Sequence, residues 1–171
     1  ERTLAEIDAI CNNPKAPTFE NTLEVLDTSG KQLGTITSIL FNLNSAETSS
    51  DLQEVTQKAA PLLTKLQNDI RLNQVLFDRI KTIYNQKDTL ILSSEQQTLI
   101  EKEYKGFVRN GALLTPEQKD KLRLIDTELA QLSLTFGDHV LADTHAFELH
   151  LTNENQLQGL PETSITQAKS L

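Results

Sequence analysis

The chain has 171 residues, 37% apolar, 23% charged and 5% aromatic, enough for one ordinary domain and too few for two comfortable ones. Lys+Arg is 16 against 24 Asp+Glu, a formal charge of -8, and this shortage of cations argues against a general nucleic-acid binder and against docking on anionic membrane. No run approaches the roughly 20 apolar residues of a transmembrane helix, no signal-peptide pattern opens the chain, and the lone cysteine, Cys11, cannot form an internal disulfide.

Methionine is absent. The opening Glu1-Arg2-Thr3 reads as a boundary left by processing or cloning, and the closing Ala168-Lys169-Ser170-Leu171 lacks a Gly or Pro terminator. Both ends read as cuts in something longer. Cys11 falls at the end of a first helix. From 18 to 43, Phe19, Leu23, Leu26, Gly30, Leu33, Thr37 and Leu40 step by four and three, which predicts one long helix. Gly30 and Gly34 inside it mark either close approach of a neighbouring helix or a break.

Residues 45–50 form a polar connection, and Ser50 with Gln53 has capping-box spacing. The next stripe is Leu52, Val55, Ala59, Leu62, Leu66 and Ile70. Pro61 lies within it, and because the stripe continues on both sides the expectation is a kink rather than a stop. A shorter helix spans 74–85, followed by a turn at Asp88-Thr89. Ser93 with Gln96 caps a helix that runs to about Asn110, where Asn110-Gly111 is a strong stop. Thr115-Pro116-Glu117-Gln118 is the clearest helix start in the chain, with Thr115 at the N-cap, Pro116 at the first position and Gln118 reaching back. Leu122, Ile125, Leu129, Leu132 and Phe136 form its stripe, which extends toward Val140, with Gly137 a possible bend.

The period then changes to two. Phe147, Leu149 and Leu151 alternate with Glu148, His150 and Thr152, which predicts a short strand over 147–152. A strand needs a partner, and no second strand pattern exists in the chain, so the partner is expected outside it. Residues 153–160 read as a turn or short helical piece, and Pro161-Glu162 open a last helix that runs off the end. The predicted fold class is mainly α: an antiparallel bundle of long amphipathic helices with one short strand near 147–152. Residues 1–146 read as an N-terminal helical domain and 147–171 as the strand and helix start leading into a further part.

Chemical constellations are sparse. His139, His145 and His150 are separated by six and five residues, and no His-Glu-x-x-His occurs, so ordinary surface or packing roles are the better reading. Around Cys11 the segment Asp8-Ala9-Ile10-Cys11-Asn12-Asn13-Pro14 offers no activating neighbour. Glu101 and Glu103 alternate with Lys102 and Lys105 as a solvated helix face, and Asp138 and Asp143 are similar. Lys119, Lys121 and Arg123 form a small basic cluster diluted by Glu117 and Asp120, again read as a charged face. Gly30 and Gly34 are not a phosphate loop, because no Gly-Lys-Ser/Thr follows. No catalytic, cofactor-binding or metal-binding residue is assigned in this chain.

Longer words carry a family likeness. Pro17-Thr18-Phe19-Glu20-Asn21-Thr22, followed by Leu23, Leu26, Ser29-Gly30 and Leu33, resembles the opening of the thimet-oligopeptidase-like zinc metallopeptidases. Lys105-Gly106-Phe107-Val108-Arg109-Asn110-Gly111-Ala112-Leu113-Leu114 leads into the capped helix at Thr115. Ile125-Asp126-Thr127-Glu128-Leu129-Ala130-Gln131-Leu132-Ser133 follows, then Phe136-Gly137 and Val140-Leu141. This order, closing with Gly159-Leu160-Pro161, resembles the bacterial peptidyl-dipeptidase (dipeptidyl carboxypeptidase) branch over about 5–171. The resemblance implies a mostly helical protein with a deep channel between two lobes. It implies a zinc site further along the chain, on a His-Glu-x-x-His helix with a later glutamate as third ligand. It implies release of dipeptides from the carboxyl end of short peptides.

Three readings follow. The first is the non-catalytic N-terminal part of a zinc-dependent peptidase, forming part of its channel wall. Zinc then belongs to the full-length parent and not to this fragment. Its partners are the catalytic lobe of the same chain and short peptides, without nucleic acid or membrane, in the cytoplasm unless a leader has been removed. The second is a stand-alone helical protein-binding module without catalytic activity. The third is an enzyme built on Cys11 and a histidine.

Overall fold

The computed structural model describes residues 1–151 and 153–169. In chain order the helices are α1 (Arg2–Cys11), a π-helical turn (Phe19–Glu24), α2 (Val25–Thr28), α3 (Lys31–Ala46), α4 (Ser50–Arg71), α5 (Gln74–Gln86) and a 3-10 turn (Lys87–Thr89). They continue with α6 (Ser94–Arg109), α7 (Pro116–Ala146), a 3-10 turn (Glu154–Leu157) and α8 (Glu162–Ala168). The protein is mainly helical. Its contacts divide it into two compact units, Glu1–Leu134 and Thr135–Leu171, with the division falling within α7.

In the first unit α5 is the central helix. Leu76, Phe77, Ile80 and Ile83 are buried on it, and they meet Ile7 and Ile10 of α1, Phe19 and Leu23 of the π turn, and Ile100 and Phe107 of α6. Each fully buried aliphatic or aromatic side chain contributes about 1.5–3 kcal/mol. The aromatic rings order the α5–α6 contact: Phe77 lies 5.8 Å from Tyr104 and 6.2 Å from Phe107, and Tyr84 stacks on Tyr104 at 3.9 Å.

The helix starts follow their caps. Asn73 Oδ1 accepts the Leu76 N–H and opens α5. Ser93 and Gln96 make a reciprocal capping box at α6, and Thr115 and Gln118 make another before Pro116. Asn110-Gly111 ends α6 in a Schellman motif: the Gly111 N–H bonds the Val108 carbonyl and the Ala112 N–H bonds Phe107. Gly111 has φ 92° there. An added Cβ would come within 2.8 Å of Leu122 Cδ2 and 2.9 Å of Leu114 Cδ1, so only glycine fits.

Several expectations are corrected. The single helix over 18–43 is broken at Ser29-Gly30, where Gly30 takes φ 71°. Glu6 Oε2 accepts the Gly30 N–H at 2.9 Å, holding the left-handed residue against α1. The other glycine, Gly34, has nothing within 4 Å of a notional Cβ, so no neighbouring helix approaches closely there. The cap of α4 is Ser49, which accepts the Leu52 N–H, one residue before the predicted Ser50. α4 runs unbroken through Pro61, but its buried residues are Thr56, Ala60 and Asn68, whereas Val55 and Leu62 of the predicted stripe face solvent.

The second unit departs furthest. α7 continues past Gly137 to Ala146. No strand exists among the described residues of 147–152, where Phe147 and Leu149 are exposed, and Thr152 lies outside the described residues. Alternation records which side chains share a face, but a strand also needs hydrogen bonds from a second one. Asn153 caps a short 3-10 turn through the Asn155 N–H. Pro161 opens α8, which closes at Ala168 with Lys169 as its C-cap rather than continuing on; Ser170 and Leu171 lie outside the described residues.

Candidate functional site

The word at 17–22 is a structural joint. The Thr18 hydroxyl accepts the Asn21 N–H, and the Thr18 N–H returns to Asn21 Oδ1 at 2.9 Å. Asn21 Nδ2 donates to the Ala16 carbonyl, and the Thr22 hydroxyl donates to Asn21 Oδ1. Arg79 reaches the same oxygen from α5 at 3.1 Å, while its Nη1 donates to the carbonyls of Asn13 and Lys15 at 3.0 and 3.3 Å. Arg79 is 8% exposed, and its Nε has no partner. One buried cation thus fastens the α1–π-turn connection to the core. Composition and periodicity did not single out Arg79; the available signal was a basic residue set between Phe77 and Ile80 of the apolar stripe of α5.

A cleft of about 510 Å³ opens between α4 and the middle turns of α7, lined by Gln67, Asn68, Arg71, Asn110, Asp126 and Leu129 among others. Charged groups tie α7 to α4 and to the start of α5. Arg123 Nη1 donates to Asp69 Oδ1 at 2.7 Å, Lys65 donates to Asp69 Oδ2 at 2.8 Å, and Lys119 Nζ donates to the Leu72 carbonyl and to Gln74 Oε1. Two members of the predicted basic cluster therefore serve as ties between elements rather than as a solvated face. Burial pushes the Asp69 carboxyl up, but the hydrogen bonds from Lys65 and Arg123 outweigh it and hold the group below the ordinary aspartate value. Arg71 pairs with Glu103 at 2.8 Å and stands 4.8 Å over the Phe107 ring.

The other candidates are not brought together. Burial raises the Cys11 thiol, Asp8 adds to the rise, and the half-buried side chain is a weak nucleophile at neutral pH. His139, His145 and His150 are exposed, and His150 contacts Glu148 at 3.0 Å. Glu101 pairs with Lys87 and Lys105, whose hydrogen bonds lower its carboxyl, and Glu103 is taken by Arg71. Among the described residues no three His, Cys, Asp or Glu side chains are grouped to hold a metal ion. A zinc ion does not fit these residues. Among them no helix is long and apolar enough to cross a membrane.

Residues 1–119 match the family described as "Neurolysin/Thimet oligopeptidase, N-terminal domain". The chain belongs to this family. It is 37% identical over 163 residues to the dipeptidyl carboxypeptidase of Salmonella typhimurium, covering 95% of this chain and 24% of that protein. It is 37% identical over 168 residues to the Escherichia coli dipeptidyl carboxypeptidase, covering 98% and 25%. Oligopeptidase A of Haemophilus influenzae is 28% identical over 152 residues, covering 89% and 22%. The chain thus spans about a quarter of the length of these relatives. Within the family match lie the 17–22 joint and its Arg79 anchor, the Schellman turn at Gly111 and the cap at Thr115.

Proposed function

We propose that this chain is the N-terminal helical part of a zinc-dependent peptidase that trims dipeptides from the C-terminus of short peptides, and that it forms part of the substrate-channel wall. The observation that carries this reading is 37% identity to two dipeptidyl carboxypeptidases across nearly the whole chain. Zinc would be held by residues beyond this chain, and there it would polarise the scissile carbonyl and activate water. This chain's own residues contribute walls, ties and shape. Residues 1–146 would form the helical part and 147–171 the passage into the catalytic part, in a cytoplasmic enzyme.

The exposed apolar residues support a covering lobe. Ile36 and Ile39 of α3 are 56% and 57% exposed, and Leu129 and Leu132 of α7 are 53% and 56% exposed. Faces of this kind mark surfaces that meet another body. They would equally serve a stand-alone helical binding module, for which no more specific observation speaks.

The deciding experiment expresses the complete polypeptide and incubates it with a short peptide. Dipeptides released from the carboxyl end, lost on chelation and restored by zinc, are expected. The 171-residue chain alone should neither cleave the peptide nor take up stoichiometric zinc. Tight zinc uptake by the chain alone, or an open reading frame that stops shortly after residue 171, overturns the reading.

A further inference from the structure

We propose that the outward face of α3 is a docking site for the part of the same polypeptide that lies outside this chain, and that it stays covered whether or not substrate is present. The proposal rests on the peptidase reading above, in which this chain is one part of a longer enzyme, and it names the helix on which the two parts meet.

The half-buried positions of α3 are Leu33, Thr37, Leu40, Phe41 and Asn44, and Asn44 Oδ1 accepts the Thr56 hydroxyl of α4. The remaining positions face solvent. Among them Ile36, Ile39 and Leu43, spaced three and four, form one apolar row; Leu43 is 47% exposed and the two isoleucines more so. From Gln32 to Ala46 no residue is charged, in a chain that is 23% charged. The neighbouring α4 shows the contrast: Glu54 and Lys58 pair on its outward side, both mostly exposed. A helix face meant for water carries charges of that kind. The polar groups on the α3 face are already served. The Thr35 and Ser45 hydroxyls donate to the carbonyls of Lys31 and Phe41 one turn back, at 3.1 and 2.9 Å, so a neighbour can cover them without orphaning a donor.

Size and length select the occupant. α3 has 16 residues. Its face is therefore about 24 Å long and about 10 Å wide, and two copies meeting on it alone would bury on the order of 600 Å² in all, about half of the least that a specific dimer needs. A separate neutral partner meets the same shortfall, and no charge on this face would steer it. A part of the same polypeptide does not. Tethering makes the contact intramolecular and removes most of the cost of association, and contacts of about 600–1,500 Å² are ordinary between parts of one chain. This chain covers 24% and 25% of two dipeptidyl carboxypeptidases, which leaves about three-quarters of such a polypeptide to supply the cover. A passing substrate would leave the row in water between turnovers, whereas a standing cover keeps it dry.

The test labels the complete, substrate-free polypeptide with iodoacetamide under native conditions and reads each peptide by mass spectrometry, so that Cys11 does not interfere. Ile36→Cys and Leu43→Cys place thiols on the α3 face, and Lys58→Cys places one on the charged side of α4. The two α3 thiols should react at least about 50-fold more slowly than the Lys58→Cys thiol, because labelling must wait for the covering part to open. If Ile36→Cys or Leu43→Cys fails to fold, Thr35→Cys, a near-isosteric change on the same face, decides. Similar rates at all positions overturn the docking face. Protection that appears only as the protein concentration rises assigns the face to a second copy, and protection that appears only when a short peptide is added assigns it to substrate; either result overturns the proposal. A complete polypeptide that releases no dipeptides yet protects the α3 thiols removes the peptidase reading and keeps the docking face. One that releases them and leaves the thiols reactive removes only the docking face.

Discussion

Arg79 shows how one side chain can hold a connection that no helix propensity would order. Its guanidinium donates to two carbonyls of the α1–π-turn loop and to Asn21, and truncation would take the side-chain donor from both carbonyls, while Asn21 Oδ1 would keep the Thr18 N–H and the Thr22 hydroxyl. Arg79→Leu should therefore cost about 2–4 kcal/mol in urea unfolding; a loss within experimental error would remove the joint from this account. Asp69 carries the acid sensitivity between α4 and α7. Its folded carboxyl lies below the ordinary 3.8, so near and below that value the unfolded chain binds more protons and acid favours unfolding. The stability Asp69 contributes is present above this range and lost as pH falls through it. Asp69→Asn should flatten that part of a stability–pH curve and leave the neutral region sloping as before.

Helix boundaries separate what pattern can reveal from what it cannot. The caps at Ser93 and Thr115 and the stop at Asn110-Gly111 stand where their residues predict them, because each is a local motif whose atoms lie within a few residues. The break at Gly30 is left open by spacing alone. Periodicity runs straight across it, and the residue that stabilises it, Glu6, lies 24 positions away. The two kinds of glycine predict opposite outcomes. Gly111→Ala should destabilise by about 1–3 kcal/mol through a strained positive φ and crowding against Leu122 and Leu114. Gly34→Ala, inside α3 with open space around it, should stabilise by about 0.5–1 kcal/mol. Thermal or urea unfolding of the pair checks both signs.

The two units bury their apolar residues very unequally. In Glu1–Leu134 the core gathers on α5, while among the described residues of Thr135–Leu171 none is buried. The chain alone should accordingly self-associate, with the weight-average mass in sedimentation velocity rising with concentration. The double substitution Leu129→Glu and Leu132→Glu should suppress it. A single sharp monomer at all concentrations would argue against a covering lobe. Local spacing and end chemistry were enough to establish a helical class and most helix ends, since these depend on neighbours three or four residues apart, while the family likeness rested on longer words in a fixed order along the chain. Which face of each helix is buried, the role of Arg79 and the ties from Lys119 and Arg123 emerged only from the folded chain. They arise between residues tens of positions apart, and the alternation at 147–152 failed to give a strand for the same reason: pairing is a relation between two segments, and a pattern within one of them carries no record of the other.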